Sequence, residues 1–302
     1  TTQGVRAPCD VGLPDYVRGG VEVIENLAAA AERGLVNNTH ANFYAWVQGS
    51  SHPVGVAADY LTSAWGQNAG IYQTAPAAGS AEEVAAKLLL DLLHLPETAS
   101  VAFATGATMA SFICLSAARS EVLKRANYDL EEEGLIGAPQ IHLFLGEEAH
   151  ATIHADLRYL GFGRKNLIGV RCDEEGRMIA SDLEEKMALH AGPKIVIVQA
   201  GHINSGAFDP FTEIIPVARS HTAWVPVDGA FGPWARTVPQ PAHYVEVLDR
   251  PDTWPLETLK WPQGPYDSGH ASFHYDTAHR AALVLPPASV AGPPHECRHP
   301  SY

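Results

Sequence analysis

The chain is short of cysteine, of basic residues and of long apolar runs, and each shortage excludes something. Its four cysteines (Cys9, Cys114, Cys172 and Cys297) stand far apart in 302 residues and none forms a CxxC pair. Such spacing argues against a disulfide framework and fits a reducing compartment. Lys and Arg total 20 against 34 Asp and Glu, for a formal net charge of −14. A chain so acidic is repelled by nucleic acid and by anionic lipid. No stretch reaches the roughly 20 consecutive apolar residues of a membrane-spanning helix. The opening run Thr-Thr-Gln-Gly-Val-Arg has neither the basic start nor the apolar core of a secretory signal. Together these shortages predict a soluble, cytoplasmic protein.

What is present reads as globular. Hydrophobic residues make up 46% and charged residues 18%, enough for one large α/β core with an added segment. Residues 21–33 predict a helix stopped by Gly34, and 56–68 a second. After a break at 76–79, Ser80 and Glu83 form a capping box ahead of the apolar run 84–95. From about residue 100, β-rich runs at 140–145, 167–171, 194–199 and 223–228 alternate with helical patterns at 108–125, 149–160, 181–190 and 210–220. Ser181 and Glu184 suggest a second capping box. Near-continuously apolar strands separated by helices predict an α/β fold whose mostly parallel central sheet is flanked by helices on both faces. Ligands of such sheets sit at the carboxyl ends of the strands. The tail from Pro286 is too rich in proline for a helix or a central strand, and disorder is expected there. The expected division is an N-terminal helical arm (1–60), a ligand-binding large domain (61–285) and the tail (286–302).

Two residues suggest chemistry. Lys260 lies in a Trp/Pro/Gly-rich run (259–269), downstream of Val-Asp-Gly-Ala-Phe-Gly (227–232), where Asp228 closes a strand. An amine and a strand-end carboxylate suit pyridoxal phosphate, which needs the first for a Schiff base and the second for its ring nitrogen. Singly, each is as well explained as a solvated charge. Thr105-Gly106-Ala107-Thr108 follows a short apolar run and opens a long helix. Unpaired N–H groups there suit a phosphate, though an ordinary Thr-capped turn explains the same residues. His150 opens another helix and His154 follows one turn later. That spacing suits a metal, but no HExxH pattern and no third ligand accompany it. His295, Cys297 and His299 of the tail also carry metal-binding side chains, without a scaffold. The glycine-rich loop 199–209 begins at Gln199 and gathers polar groups at the same sheet edge as Asp228.

In their order and separations, Thr-Gly-Ala-Thr-Met-Ala (105–110), Gln-Ala-Gly-His-Ile-Asn-Ser-Gly-Ala-Phe-Asp-Pro (199–210) and Val-Asp-Gly-Ala-Phe-Gly (227–232) resemble the group II pyridoxal-phosphate-dependent decarboxylases, which include the aromatic-L-amino-acid and glutamate decarboxylases. The likeness runs from about His40 to about Arg280. It implies the large domain of the aspartate-aminotransferase-type fold, a homodimer, and decarboxylation of an L-amino acid to the amine and CO2 through a Lys260 Schiff base. By the same resemblance Asp228 pairs with the ring nitrogen, and His150 stacks on the ring with Ala230 against its other face. Gly106, Ala107 and Thr108 hold the phosphate, and Gln199 lies near the phenolic oxygen. His40–Gly49 corresponds to a region that helps line the substrate pocket, and the N-terminal segment to one that wraps a partner subunit.

The sequence departs from that pattern in places. Leu259 stands where the family has His before the lysine, and Pro226 where it has His two residues before the aspartate. Pro262 replaces an apolar residue after Lys-Trp. Proline in a buried strand also removes a ladder hydrogen bond. The family's C-terminal small domain and mobile catalytic loop have no counterpart in these residues. An inactive or truncated homologue that keeps the cofactor-domain fold is therefore the alternative expectation.

Overall fold

The structure, a computed structural model, describes residues 12, 15–70, 72–239, 245 and 247–283. The expected disordered tail (286–302), with His295, Cys297 and His299, lies outside these residues, as does Cys9. The described residues fall into two compact units divided between Ala45 and Trp46. The first carries helix α1 (Gly20–Ala31), followed by a 3-10 turn, Glu32–Gly34. No residue of α1 is buried, and Val21, Ile24 and Leu27 are exposed.

The second unit opens with α2 (Pro53–Trp65). The His52 side chain caps it by accepting from Val54 N, Pro53 takes the first helical position, and Gly66 at φ 55° closes it. Helix α3 (Pro76–Leu92) corrects the expected capping box. It starts at Pro76, whose missing N–H costs nothing in a first turn, so Ser80 lies inside the helix rather than at its cap. Then follow β1 (Ser100–Ala104), α4 (Ala107–Arg125), α5 (Leu130–Glu133), β2 (His142–Gly146), α6 (Ala151–Tyr159), β3 (Leu167–Val170), α7 (Ala180–Ala188), β4 (Lys194–Gln199), α8 (Phe211–Ser220), β5 (Val227–Asp228), β6 (Thr253–Glu257), β7 (Gly269–Phe273) and α9 (Asp276–Leu283). The second expected capping box also fails. Ile179 is the N-cap of α7 and no side chain caps it. Ser181 falls within the first turn, and the neighbouring Asp182 instead accepts from Arg171 N and pairs with Arg171 and Lys186.

Strands β3-β2-β4-β5 form a parallel sheet in that order. Its near-continuous apolar runs are explained by burial on both faces. Phe144, Val196 and Val198 pack on one side with Leu183 of α7 and Ile214 of α8. Leu143, Leu145, Ile195 and Ile197 pack on the other with Leu115 of α4 and Ile153 of α6. Each such side chain contributes about 1.5–3 kcal/mol by leaving water. Strands β1-β7-β6 form a second, antiparallel sheet, linked to the first by a bridge between Pro226 and Thr253.

Pro226 is buried in line with β5, and its effect is local. Trp224 N donates to Lys194 O, and Trp224 O and Pro226 O accept from Val196 N and Val198 N. Pro226 has no N–H to donate back to β4, so the regular strand shrinks from the expected 223–228 to Val227–Asp228. The carbonyl side of the ladder survives and still delivers Asp228 to the sheet edge.

Candidate active site

Lys260 and the expected phosphate turn face one cavity. Strand β1 leads through Thr105 and Gly106 into α4, and a cavity of about 330 Å³ is lined by Thr105, Gly106, Ala107, Thr108, Glu257 and Lys260, among others. Gly269 pairs with Ala104 across the antiparallel sheet. A Cβ at Gly269 would lie 2.8 Å from the Gly106 carbonyl carbon, so the turn closes only over a glycine. The Lys260 Nζ donates to Val47 O at 3.1 Å and pairs with Glu257 Oε2 at 3.1 Å. The lysine loop is braced by His52 N, which donates to Gln263 O at 2.9 Å. The other oxygen of Glu257, Oε1, accepts from Ala107 N at 3.2 Å. The first N–H of α4 thus already receives an anion.

Asp228 and Gln199 stand side by side, in register at the carboxyl ends of β5 and β4. Both line a small hollow with Gly146, Ala149, Ile153 and Asp209. Burial raises the Asp228 carboxyl above the usual carboxylate range, opposed by the charge of His150, a hydrogen bond from Ala230 N and the charge of Lys260. The carboxyl therefore lies within electrostatic reach of both the histidine and the lysine. His150 is the N-cap of α6, where its ring accepts from Thr152 N at 3.3 Å and its Nδ1 lies 2.8 Å from Thr152 Oγ1. Ala230 O accepts from Glu257 N, tying the segment after Asp228 to the strand that carries Glu257. His154 is exposed on α6, and no group of three or more His, Cys, Asp or Glu with metal-binding geometry occurs among the described residues.

A primary amine, a half-buried strand-end carboxylate and a helix N-terminus holding an anion fit a phosphorylated aromatic aldehyde with a basic ring nitrogen, which is pyridoxal phosphate. Comparison with known proteins agrees. Residues 8–283 match the pyridoxal-dependent decarboxylase conserved domain.

The chain belongs to the pyridoxal-dependent decarboxylase family.

Within this decarboxylase family it is similar to the aromatic-L-amino-acid decarboxylase of Bacillus atrophaeus, 28% identical over 265 residues, covering 85% of this chain and 52% of that protein. The chain thus spans about half the length of that curated relative. Oryza sativa TDC, solved with PLP and tryptamine, superposes with a TM-score of 0.86 at 22% identity, over 96% of this chain and 61% of that one. Mouse CSAD in apo form gives 0.87 at 21% identity, over 97% and 62%. At these identities the structural likeness establishes the fold: the large domain of the family's aminotransferase-type architecture.

Sequence reasoning missed three carboxyl groups of this candidate site. Glu257 lies three residues before Lys260, and that spacing was its only available signal. Asp209 is buried and accepts from Met178 N and Gln199 N, each at 2.7 Å. Burial still pushes its carboxyl up to about 6. Asp156 of α6 is fully buried, and neither carboxyl oxygen has a hydrogen-bond partner. Burial, and then the charge of Asp228, push it up to about 7. Its signal was an acid among Ile153, Leu157 and Leu160, on the face of α6 that packs into the core.

Proposed function

We propose that this chain carries the cofactor-binding core of an enzyme that decarboxylates an L-amino acid to its amine. The observation that carries the reading is Lys260 facing the cavity that Gly106, Ala107 and Thr108 line, with the half-buried carboxylate of Asp228 at the end of β5, in a chain matching the family over residues 8–283. Pyridoxal phosphate, when bound, supplies an electron sink for the bonding pair released as the amino acid loses its carboxylate. The chain's own groups divide the remaining work. Lys260 supplies the amine that attaches the cofactor. Asp228 would hold the proton of the ring nitrogen, because a carboxylate beside a cation favours the charged form of both. Gly106, Ala107 and Thr108 receive the phosphate at the start of α4. His150 would cover one face of the ring and Ala230 the other, and Gln199 would serve the phenolic oxygen.

The reading includes a homodimer, supported by Val54, Tyr60, Leu61 and Trp65, which leave an apolar surface exposed on α2. It includes a cytoplasmic setting, supported by the free thiols Cys114 and Cys172. A homologue that keeps the cofactor-domain fold without turnover is the second reading, favoured by Leu259 in place of an imidazole. Borohydride reduction with added pyridoxal phosphate, followed by mass mapping, is expected to mark Lys260. CO2 release from a panel of L-amino acids is expected to vanish in Lys260→Ala. Marking of Lys260 with no CO2 from any amino acid would select the second reading, and no marking at all would remove the first and leave the second.

A further inference from the structure

Building on the cofactor reading above, we infer that Glu257 is a resident anion of the phosphate cradle, which an incoming phosphate group must displace. The carboxylate bridges two partners. Oε1 accepts from Ala107 N at 3.2 Å, and Oε2 pairs with Lys260 Nζ at 3.1 Å. The side chain is only 13% exposed, and its Oε1 lies 3.1 Å from where a Cβ on Gly106 would sit. The carboxylate therefore occupies the space that glycine leaves open above the first turn of α4.

The backbone of Glu257 is anchored independently of its carboxylate. Its N–H donates to Ala230 O at 3.1 Å, and its carbonyl accepts from Trp234 Nε1 at 3.0 Å. The side chain is thus the part free to move. One amide hydrogen cannot serve a carboxylate and a phosphate together, and the two anions repel at that range. When the side chain swings out, Ala107 N–H is released to the phosphate and Lys260 loses its ion pair in the same movement. Glu257 thereby couples phosphate arrival to release of the amine that must react.

Glu257→Gln tests this, since it keeps the length and an acceptor oxygen but removes the charge. Titration calorimetry with inorganic phosphate is expected to show about tenfold tighter binding to the variant, the effect of losing one like-charge contact. Pyridoxal 5′-phosphate should gain similarly, whereas pyridoxal without the phosphate should not. Glu257→Asp, which keeps the charge but draws it back from Ala107, should fall between the two, and circular dichroism would check that both variants fold. Equal or weaker phosphate binding by Glu257→Gln overturns the inference, as does an equal gain for pyridoxal or no measurable phosphate binding by either protein. Borohydride marking of Lys260 judges the cofactor reading separately. If it fails while phosphate binding still tightens, the displaced anion stands and the cofactor reading falls.

Discussion

Asp209 and Gln199 are joined twice: Gln199 N donates to Asp209 Oδ2 at 2.7 Å, and Asp209 N donates to Gln199 O at 3.0 Å. The other carboxyl oxygen accepts from Met178 N at 2.7 Å. One buried side chain therefore pins the end of β4, and with it the residue in register with Asp228, to the loop that returns past Met178. Asp209→Ala would leave two buried N–H groups without acceptors. Each unmet group costs about 1–3 kcal/mol, so urea denaturation is expected to show a loss of about 2–4 kcal/mol. A loss below about 1 kcal/mol would mean that water or a neighbouring group takes over both bonds.

Asp156 should make the fold less stable as pH rises. Burial, and then the charge of Asp228, push its carboxyl up to about 7 from 3.8, so the folded state holds a proton that the unfolded chain releases. The neutral carboxyl is tolerated below about pH 4, and the penalty grows between pH 4 and 7. Asp156→Asn removes the titration. The variant is expected to match the parent at pH 4 and to exceed it by about 4 kcal/mol at pH 8. A pH-independent difference between the two would show that ionisation of Asp156 plays no part.

His270 acts in the opposite direction. Neither ring nitrogen has a hydrogen-bond partner, and burial pushes the imidazole down to about 4 from 6.5. The folded state keeps the ring neutral while the unfolded chain takes up a proton, so stability is lost as pH falls from about 6.5 to 4. His279, stacked on Phe273 at 4.3 Å between ring centroids and also pushed down to about 4 by burial, adds to the same loss. His270→Leu is expected to flatten the acid side of the stability curve, by about 2 kcal/mol at pH 4.5 relative to pH 7. Thermal melts across that range would show an unchanged slope if the histidine were hydrated.

Gly269→Ala should damage the phosphate turn from behind. The added methyl would meet Gly106 backbone atoms at 2.8–3.0 Å, and those atoms cannot move without shifting the start of α4. A destabilisation of about 1–3 kcal/mol is expected from the overpacking, together with at least about tenfold weaker binding of pyridoxal 5′-phosphate. Normal cofactor affinity in a folded variant would show that the turn relaxes without cost.

The parts of the fold legible in sequence were those whose pattern is set locally. Lys194–Gln199 is a strand at its expected bounds because Ile195–Val198 are buried on alternating faces, which leaves an unbroken apolar run. Asp228 stood out because it ends such a run. Strands β6 and β7 did not, since Pro255 interrupts one and His270 and Ser272 put polar groups at buried positions of the other. Helix starts were misread where a Ser with an acid three residues on imitated a cap. In α3 and α7 the chain entered the helix earlier, led by Pro76 and Ala180.

By itself the sequence determined the alternation of strands and helices, hence a parallel sheet covered on both faces, and the order in which the phosphate turn, the strand-end aspartate and the lysine follow one another. Burial patterns and turn residues act over a few neighbours, so they can be read without the fold. The tertiary structure alone decided that Glu257 reaches Ala107, 150 residues away, and that Asp156 is buried within reach of the charge of Asp228. Those contacts depend on the register of two sheets and the packing of helices across them, which no local spacing encodes.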